Sequence, residues 1–442
     1  MPQSIADESA YIRDLIERVV DECPRRQPTS EDERRAATIV QDAFARLGLE
    51  SWSEGFEFND NLYANIALHF GLGSLGTAIS GVAPHLALPL HLLAGLSYRL
   101  DSTRRAYLLR RMLGFKPSQN VLAVLPAEGE PKLRIVLNAH LDAAFTGLVF
   151  NPRVVDALSG DERANPLPFL DRPLALATNT QFALAGFDLL RMVFGPLTWP
   201  LRPLEWLLGT PGLVAFLATA EVCLRNQIVP GANDDLTGVA ALPVLALRLA
   251  AVKPPEVELV FAATGCEEAS MGGADALVKA KRDQWSPQNT VGLSLEMLGN
   301  GELVFLQGEG EVVQTPTPAW LIEAVHKVVA SEPRFAGVKG FEPPVGGSDA
   351  AAFLANGYDA ICLCCLDRRL GTAAHYHLPD DTLEHVDLDK VMHAVDFAEK
   401  LVHTIIEMRL GLTPARPARS SPARPRSRAP GRSRAKKKKT PA

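Results

Sequence analysis

Three short apolar runs in this chain each lead straight into residues that are costly to bury, and this pattern limits what the chain can fold into. Leu133–Asn138 runs into His140, Val257–Ala263 into Glu267 and Glu268, and Val291–Leu295 into Glu296. Apolar runs of this length bounded by turn residues read as buried strands. A charge at the mouth of such a strand needs a partner, because an isolated buried charge is strongly unfavourable. Open sheets gather strand ends of this kind at one edge, where their active sites lie.

The rest of the chain supplies such a sheet. Further strands are expected at Asn61–His69, Asn120–Leu125, Glu302–Leu306 and Ala360–Leu366. Helices are expected at 9–24 and 30–48, the second opened by a capping box of Ser30 and Glu33. Others follow at Thr237–Val252, Gly272–Arg282, Pro318–Ser331, Asp349–Asn356 and Asp387–Met408. The alternation predicts an α/β fold: a mixed, largely parallel central sheet with helices on both faces. With 442 residues, 47% of them hydrophobic, the chain can fill a large core.

Two stretches depart from the alternation. Ile66–Ser97 holds no Asp, Glu, Lys or Arg, and Pro173–Arg225 is apolar apart from Asp188, Arg191, Arg202, Glu205 and a few polar residues near its end. We read 1–410 as one catalytic domain carrying apolar inserts at 66–98 and 143–229, followed by a disordered basic tail at 411–442. The first stretch reads as long enough for one membrane crossing of about 20 residues but not two. A single crossing would place the two halves of one domain on opposite sides, so the readings left are membrane association through 66–98, as a re-entrant or surface-lying pair broken at Pro84 and Pro89, and through 173–225, a soluble cap, or a homo-oligomer contact.

The tail holds seven Arg and four Lys and no acid, so a net charge of −6 for the whole leaves −17 on residues 1–410. An acidic body excludes a nucleic-acid-binding enzyme, which needs a basic face. The six cysteines follow no disulfide or zinc-knuckle spacing, which points to a reducing compartment. The charged N-terminal segment lacks the apolar core of a signal peptide, so a cytoplasmic chain, membrane-associated or not, is expected.

Five motifs carry chemistry. In Asn138-Ala139-His140-Leu141-Asp142, the imidazole can bind a metal while Asp142 accepts its other N–H. In Gly231-Ala232-Asn233-Asp234-Asp235, a carboxylate on a turn entering a helix can bridge two cations, or simply cap the helix. Glu267 and Glu268 are adjacent acids after an apolar strand, a costly pairing unless one binds a cation and the other moves protons. Glu296 is a lone acid at a strand end, and His375-Tyr376-His377 offers two histidines, of which His377, backed by Pro379, is the better ligand. The phenol of Tyr376 can polarise a substrate carbonyl.

In order and local context these motifs resemble the zinc-dependent aminopeptidase family that also contains glutamate carboxypeptidase and glutaminyl cyclase. The resemblance spans residues 9–408 apart from the inserts, and it implies a zinc exopeptidase fold. It further implies two zinc ions per chain, with His140 and Glu296 on one, Glu268 and His377 on the other, and Asp234 between them. Glu267 would be the general base, Asp142 would orient His140, and Gly347-Ser348-Asp349 would wall the site near His377. A di-zinc aminopeptidase acting on peptides is the function so implied. A single-zinc cyclase, a carboxypeptidase or other amide hydrolase on the same fold, and a non-catalytic binding domain are the alternatives. Two departures stand out: the family more often has Asp where this chain has Glu296, and the segment from Asp142 to Pro230 is much longer than usual.

Overall fold

Side chains alternate along the central strands, which are buried on both faces, sending every second residue to one face of the sheet. Ile135 and Leu137, Leu259 and Phe261, and Ile361 and Leu363 point into one core, while Val136, Val260, Ala262, Cys362 and Cys364 point into the other. The structure, a computed structural model, describes residues 5–159, 172–343, 346–367 and 370–412. The strands are β1 (Ser51–Phe58), β2 (Lys116–Leu125), β3 (Leu133–His140), β4 (Val257–Thr264), β5 (Thr290–Glu296), β6 (Glu302–Leu306), β7 (Gly308–Glu309), β8 (Thr315–Pro316), β9 (Lys339–Phe341) and β10 (Asp359–Leu366). Eight of them form one sheet in the order β1-β2-β4-β3-β5-β10-β6-β9, and β7 pairs with β8 in a short hairpin.

The four central strands β4, β3, β5 and β10 are mutually parallel, with antiparallel pairings on both flanks. Their C-terminal ends therefore share one edge: His140 pairs with Thr264, Asn138 with Ser294 and Glu296 with Cys364. The helices are α1 (Glu8–Glu22), α2 (Glu31–Arg46), α3 (Leu62–Ile79), α4 (Pro84–Ser102), α5 (Pro152–Ser159), α6 (Pro173–Phe194), α7 (Arg202–Arg225), α8 (Leu236–Ala250), α9 (Gly272–Lys281), α10 (Ala319–Ser331), α11 (Asp349–Ala355) and α12 (Leu388–Leu410). Helices α1, α2, α8, α10 and α12 cover one sheet face, and α9 and α11 the other. The mixed α/β architecture is as expected, with Ser30 capping α2 through the Glu33 amide.

Three expectations need correction. The run Asn61–His69 is the start of α3, because the Asn61 side chain accepts the Ala64 N–H as a helix cap and the apolar run continues without a two-residue period to Ile79. The first apolar stretch is not one span but two antiparallel helices, α3 and α4, turned at residues 80–83 just before Pro84. The edge strand β1 went unrecognised because its inward residues alternate with Ser, Glu and Gly. In the second stretch α6 and α7 form another hairpin through a turn at Gly195–Leu201. Helices α3, α4, α6 and α7 pack together as a four-helix bundle beside the sheet. Residues 413–442 of the basic tail and residues 160–171 of the 143–229 insert lie outside the described residues.

Candidate metal centre

The shared strand edge and the loops above it bring four of the five expected ligands into direct contact. His140, the last residue of β3, places Nε2 3.1 Å from Asp234 Oδ1. His377 places Nε2 3.3 Å from Asp234 Oδ2 and 3.3 Å from Glu268 Oε1. Ligand atoms of His140, Asp234 and Glu268 all lie within 4.8 Å of one another. The two Asp234 oxygens thus face two different imidazoles. Glu296 closes β5 with a buried carboxylate beside Glu267 and His140, outside that close trio. His375 is not part of the group: its Nδ1 pairs with Asp380 at 2.8 Å and its ring stacks on His385.

Each imidazole is oriented through its other nitrogen. His140 Nδ1 lies 3.1 Å from the Asp142 carbonyl oxygen and 3.7 Å from its carboxylate, so a proton on Nδ1 leaves Nε2 free as a ligand. The Asp142 carboxylate does something the sequence did not suggest. It accepts the backbone N–H groups of Glu267 and Glu268 at 3.0 and 2.9 Å, fixing the loop after β4 against the end of β3. His377 Nδ1 meets the hydroxyl of Tyr63 at 3.2 Å. Tyr63 lies in the first turn of α3, so the helical bundle contributes a side chain to the site.

Other residues position the turn that carries Asp234. Asp381 accepts the N–H groups of Asn233 and Asp234 at 2.9 and 3.1 Å. Asp235 caps α8 through the Gly238 N–H at 3.2 Å and also accepts from the His140 and Met297 amides, tying α8 to β3 and β5. Buried Arg26 donates to the carbonyls of Leu141, Pro230 and Gly231. Gly231 has φ +63°, and a Cβ there would sit 2.7 Å from the Asp234 carbonyl oxygen, so the turn requires glycine. Cys266, Met297 and His377 adopt positive φ without being glycine, a costly conformation that clusters at functional sites.

Ser348 caps α11 and donates to Glu309, while Asp349 accepts from Thr264 Oγ1 close to His140 and Glu267. Tyr376 stacks on His377 with ring centroids 3.8 Å apart, and Phe150 packs on the same imidazole at 4.5 Å.

The cluster is short of positive charge. Burial pushes Glu267 and Glu296 well above the usual carboxylate range and raises Glu268 as well. Burial opposes charge on His377, yet the Glu268 charge and hydrogen bonds to Asp234 and Glu268 outweigh it and lift the imidazole to about 9. His140 is raised well above its usual value in the same way, the hydrogen bonds to Asp142 and Asp234 overcoming burial. Asp234 is held low despite burial by hydrogen bonds from both imidazoles. Yet Asp234 Oδ2 and Glu268 Oε1, both buried, share the single His377 Nε2 at 3.3 Å, and Glu296 Oε1 is buried with no donor at all.

Residues 218–402 match the model of Peptidase family M28. This match, over less than half of the chain, agrees with the resemblance read from the motifs. The match takes in Asp234, Glu267, Glu268, Glu296 and His377, and the fold brings His140 and Asp142 to them from outside the matched segment. The chain is similar in fold to BSAP, a zinc aminopeptidase from Bacillus subtilis, with a TM-score of 0.52 at 13% identity over 91% of this chain and 96% of that one. It is similar also to an aminopeptidase from Aneurinibacillus sp. strain AM-1, with a TM-score of 0.50 at 14% identity over 89% and 93% of the two chains. A glutaminyl cyclase from Porphyromonas gingivalis has a TM-score of 0.50 at 12% identity over 89% and 97%. No curated protein sequence matches the chain.

Proposed function

We propose that this chain is a di-zinc metallopeptidase that removes N-terminal residues from peptides. The observation that carries this reading is the set of three buried carboxylate oxygens, on Asp234, Glu268 and Glu296, of which two share one imidazole N–H and the third has no donor, beside two imidazoles whose Nε2 atoms face the same space. Carboxylate and imidazole donors at this density suit zinc, and a bound cation removes the cost of leaving the oxygens unpaired. His140 and Glu296 would hold one ion, Glu268 and His377 the other, and Asp234 would span both with its two oxygens. Zinc, when bound, supplies Lewis acidity and brings the pKa of water down to about 7.

The protein's own groups do the rest. Glu267 lies 3.9 Å from His140 Nε2, and its backbone is held by Asp142. Its carboxylate takes a proton from the attacking water and returns it to the leaving amine. The phenol of Tyr376, whose ring stacks on His377, would donate to the developing oxyanion.

Two metals rather than one are favoured by the way Asp234 directs its oxygens to different histidines. A single-zinc cyclase would have no need of that arrangement. The reading is tested by assaying free and N-blocked aminoacyl peptides with the parent and with Glu267→Gln. Cleavage of free N-termini by the parent alone is expected. Cleavage confined to blocked peptides would sink the aminopeptidase reading, and parental rates in the variant would sink the base assignment.

A further inference from the structure

The bundle of α3, α4, α6 and α7 is built inside out. Large apolar side chains cover its outer surface: Val82, Leu197 and Leu224 are 87%, 82% and 88% exposed, and Trp199, Trp206 and Leu217 stand out from it as well. Only 22% of the most apolar window in Pro173–Arg225 is buried, although that segment is long and apolar enough to cross a membrane, as is Leu62–Ile79. The outer face of α4 continues the surface with Leu86, Leu92, Leu93 and Leu96. An apolar belt on α4, α6 and α7, joined by Leu75 of α3, is unlike the single patch of a soluble contact surface.

The polar residues point inward. His91 Nδ1 pairs with Asp188 at 2.6 Å, and Ser80 donates to the same carboxylate. Arg191 pairs with Glu205 and also donates to Ser80 and Thr198, and Arg202 reaches Glu205 at 2.6 Å. Every charge in this network has a partner. Between the helices sit small residues: a Cβ on Gly76 would lie 2.9 Å from the His91 ring, one on Gly209 2.8 Å from Thr77, and one on Gly212 2.8 Å from Gln181. Small residues at helix crossings, paired charges inside and bulky aliphatics outside are the arrangement that lipid favours, since hydrocarbon solvates large apolar side chains and cannot solvate charges.

Length and connectivity agree. Helices of 18, 19, 22 and 24 residues rise about 27 to 36 Å at about 1.5 Å per residue, close to a hydrocarbon core of about 30 Å. Both hairpins leave the sheet domain and return to it, so an even number of crossings keeps that domain on one side. The near end of the bundle is tied to the sheet domain by the buried Arg110–Asp101 pair and by Tyr98 donating to Glu311. At that same end Tyr63 reaches His377.

We propose that the four helices insert into a lipid bilayer as one bundle of two hairpins and hold the candidate metal centre at the membrane surface. The insertion does not depend on the peptidase reading, and its test uses no activity.

The full chain is reconstituted with vesicles of phosphatidylcholine alone, which offer no net charge to the basic tail, and floated on a density gradient after high-salt and alkaline carbonate washes. Co-flotation is expected, with release only by detergent. Recovery in the aqueous fraction without detergent would contradict insertion, and a dimer or larger assembly there would assign the apolar belt to a second copy of the chain. Leu217→Arg should lose flotation, whereas retained flotation would place that face outside the lipid. A measurement that needs no disruptive variant uses brominated phosphatidylcholine. It should quench the tryptophan emission of the parent, and most of that quenching should disappear in Trp199→Phe/Trp206→Phe. Unquenched emission in the parent would overturn the proposal.

Discussion

The sheet edge and the helical bundle both bury charge, and they meet its cost in opposite ways. In the bundle, Asp188 is matched by His91 and Ser80, and Glu205 by Arg191 and Arg202, so the polar core is complete within the chain. At the sheet edge, Glu296 keeps an oxygen with no donor, and oxygens of Asp234 and Glu268 share a single imidazole nitrogen. A network closed on itself acts as structure, whereas one left open toward a common point awaits a ligand. The two also differ outside, for the sheet domain is wrapped by amphipathic helices while the bundle turns its largest apolar side chains outward.

Substitutions that remove one charge from each region should separate them most widely. Glu205→Ala leaves Arg191 and Arg202 without their carboxylate and should lower stability by about 3–5 kcal/mol, the usual cost of breaking a buried pair. Glu296→Gln in chelator-treated protein should cost less than about 1 kcal/mol, because no partner is stranded. Denaturation of both variants in the same detergent checks the contrast, and equal losses would erase it.

The junction of the regions gives the next effect. Tyr63→Phe removes the hydroxyl that meets His377 Nδ1 and should weaken zinc binding by about 10–100-fold while the fold persists, as titration against a competing chelator would show. Unchanged affinity would mean that the bundle supports the site only sterically. Within the bundle, Gly209→Ala sets a Cβ 2.8 Å from the stiff Thr77 side chain and should cost about 1–3 kcal/mol of stability. The smallest change belongs to the sheet domain, where Ser30→Ala removes the cap of α2 for about 1 kcal/mol and should leave zinc binding untouched.

The same contrast explains what could be read from the sequence. The parallel core and its charged strand ends were legible because each strand is a local apolar run whose last residues break the pattern. His140, Glu267, Glu268 and Glu296 stand out for that reason, and His377 was separable from His375 by its neighbouring proline. Tyr63 was not legible, since its partner lies 314 residues away and nothing local marks an aromatic residue in an apolar helix as functional. Asp235 could be read as a helix cap, but its bonds to the His140 and Met297 amides, and those of Asp381 to Asn233 and Asp234, were hidden because those amides come from distant parts of the chain. Helix α3 was mistaken in part for a strand because a short apolar run carries no decisive period, whereas the break after it was marked by Pro84, the first residue of α4.

The central claim is that the open carboxylates at the sheet edge hold two zinc ions. Elemental analysis of the purified chain, alongside Glu267→Gln and Asp234→Asn, tests it most directly. The account predicts two zinc ions per chain in the parent and in Glu267→Gln, with a marked loss in Asp234→Asn. A parent that takes up no zinc when supplied with it, or that keeps its zinc without Asp234, would contradict the claim.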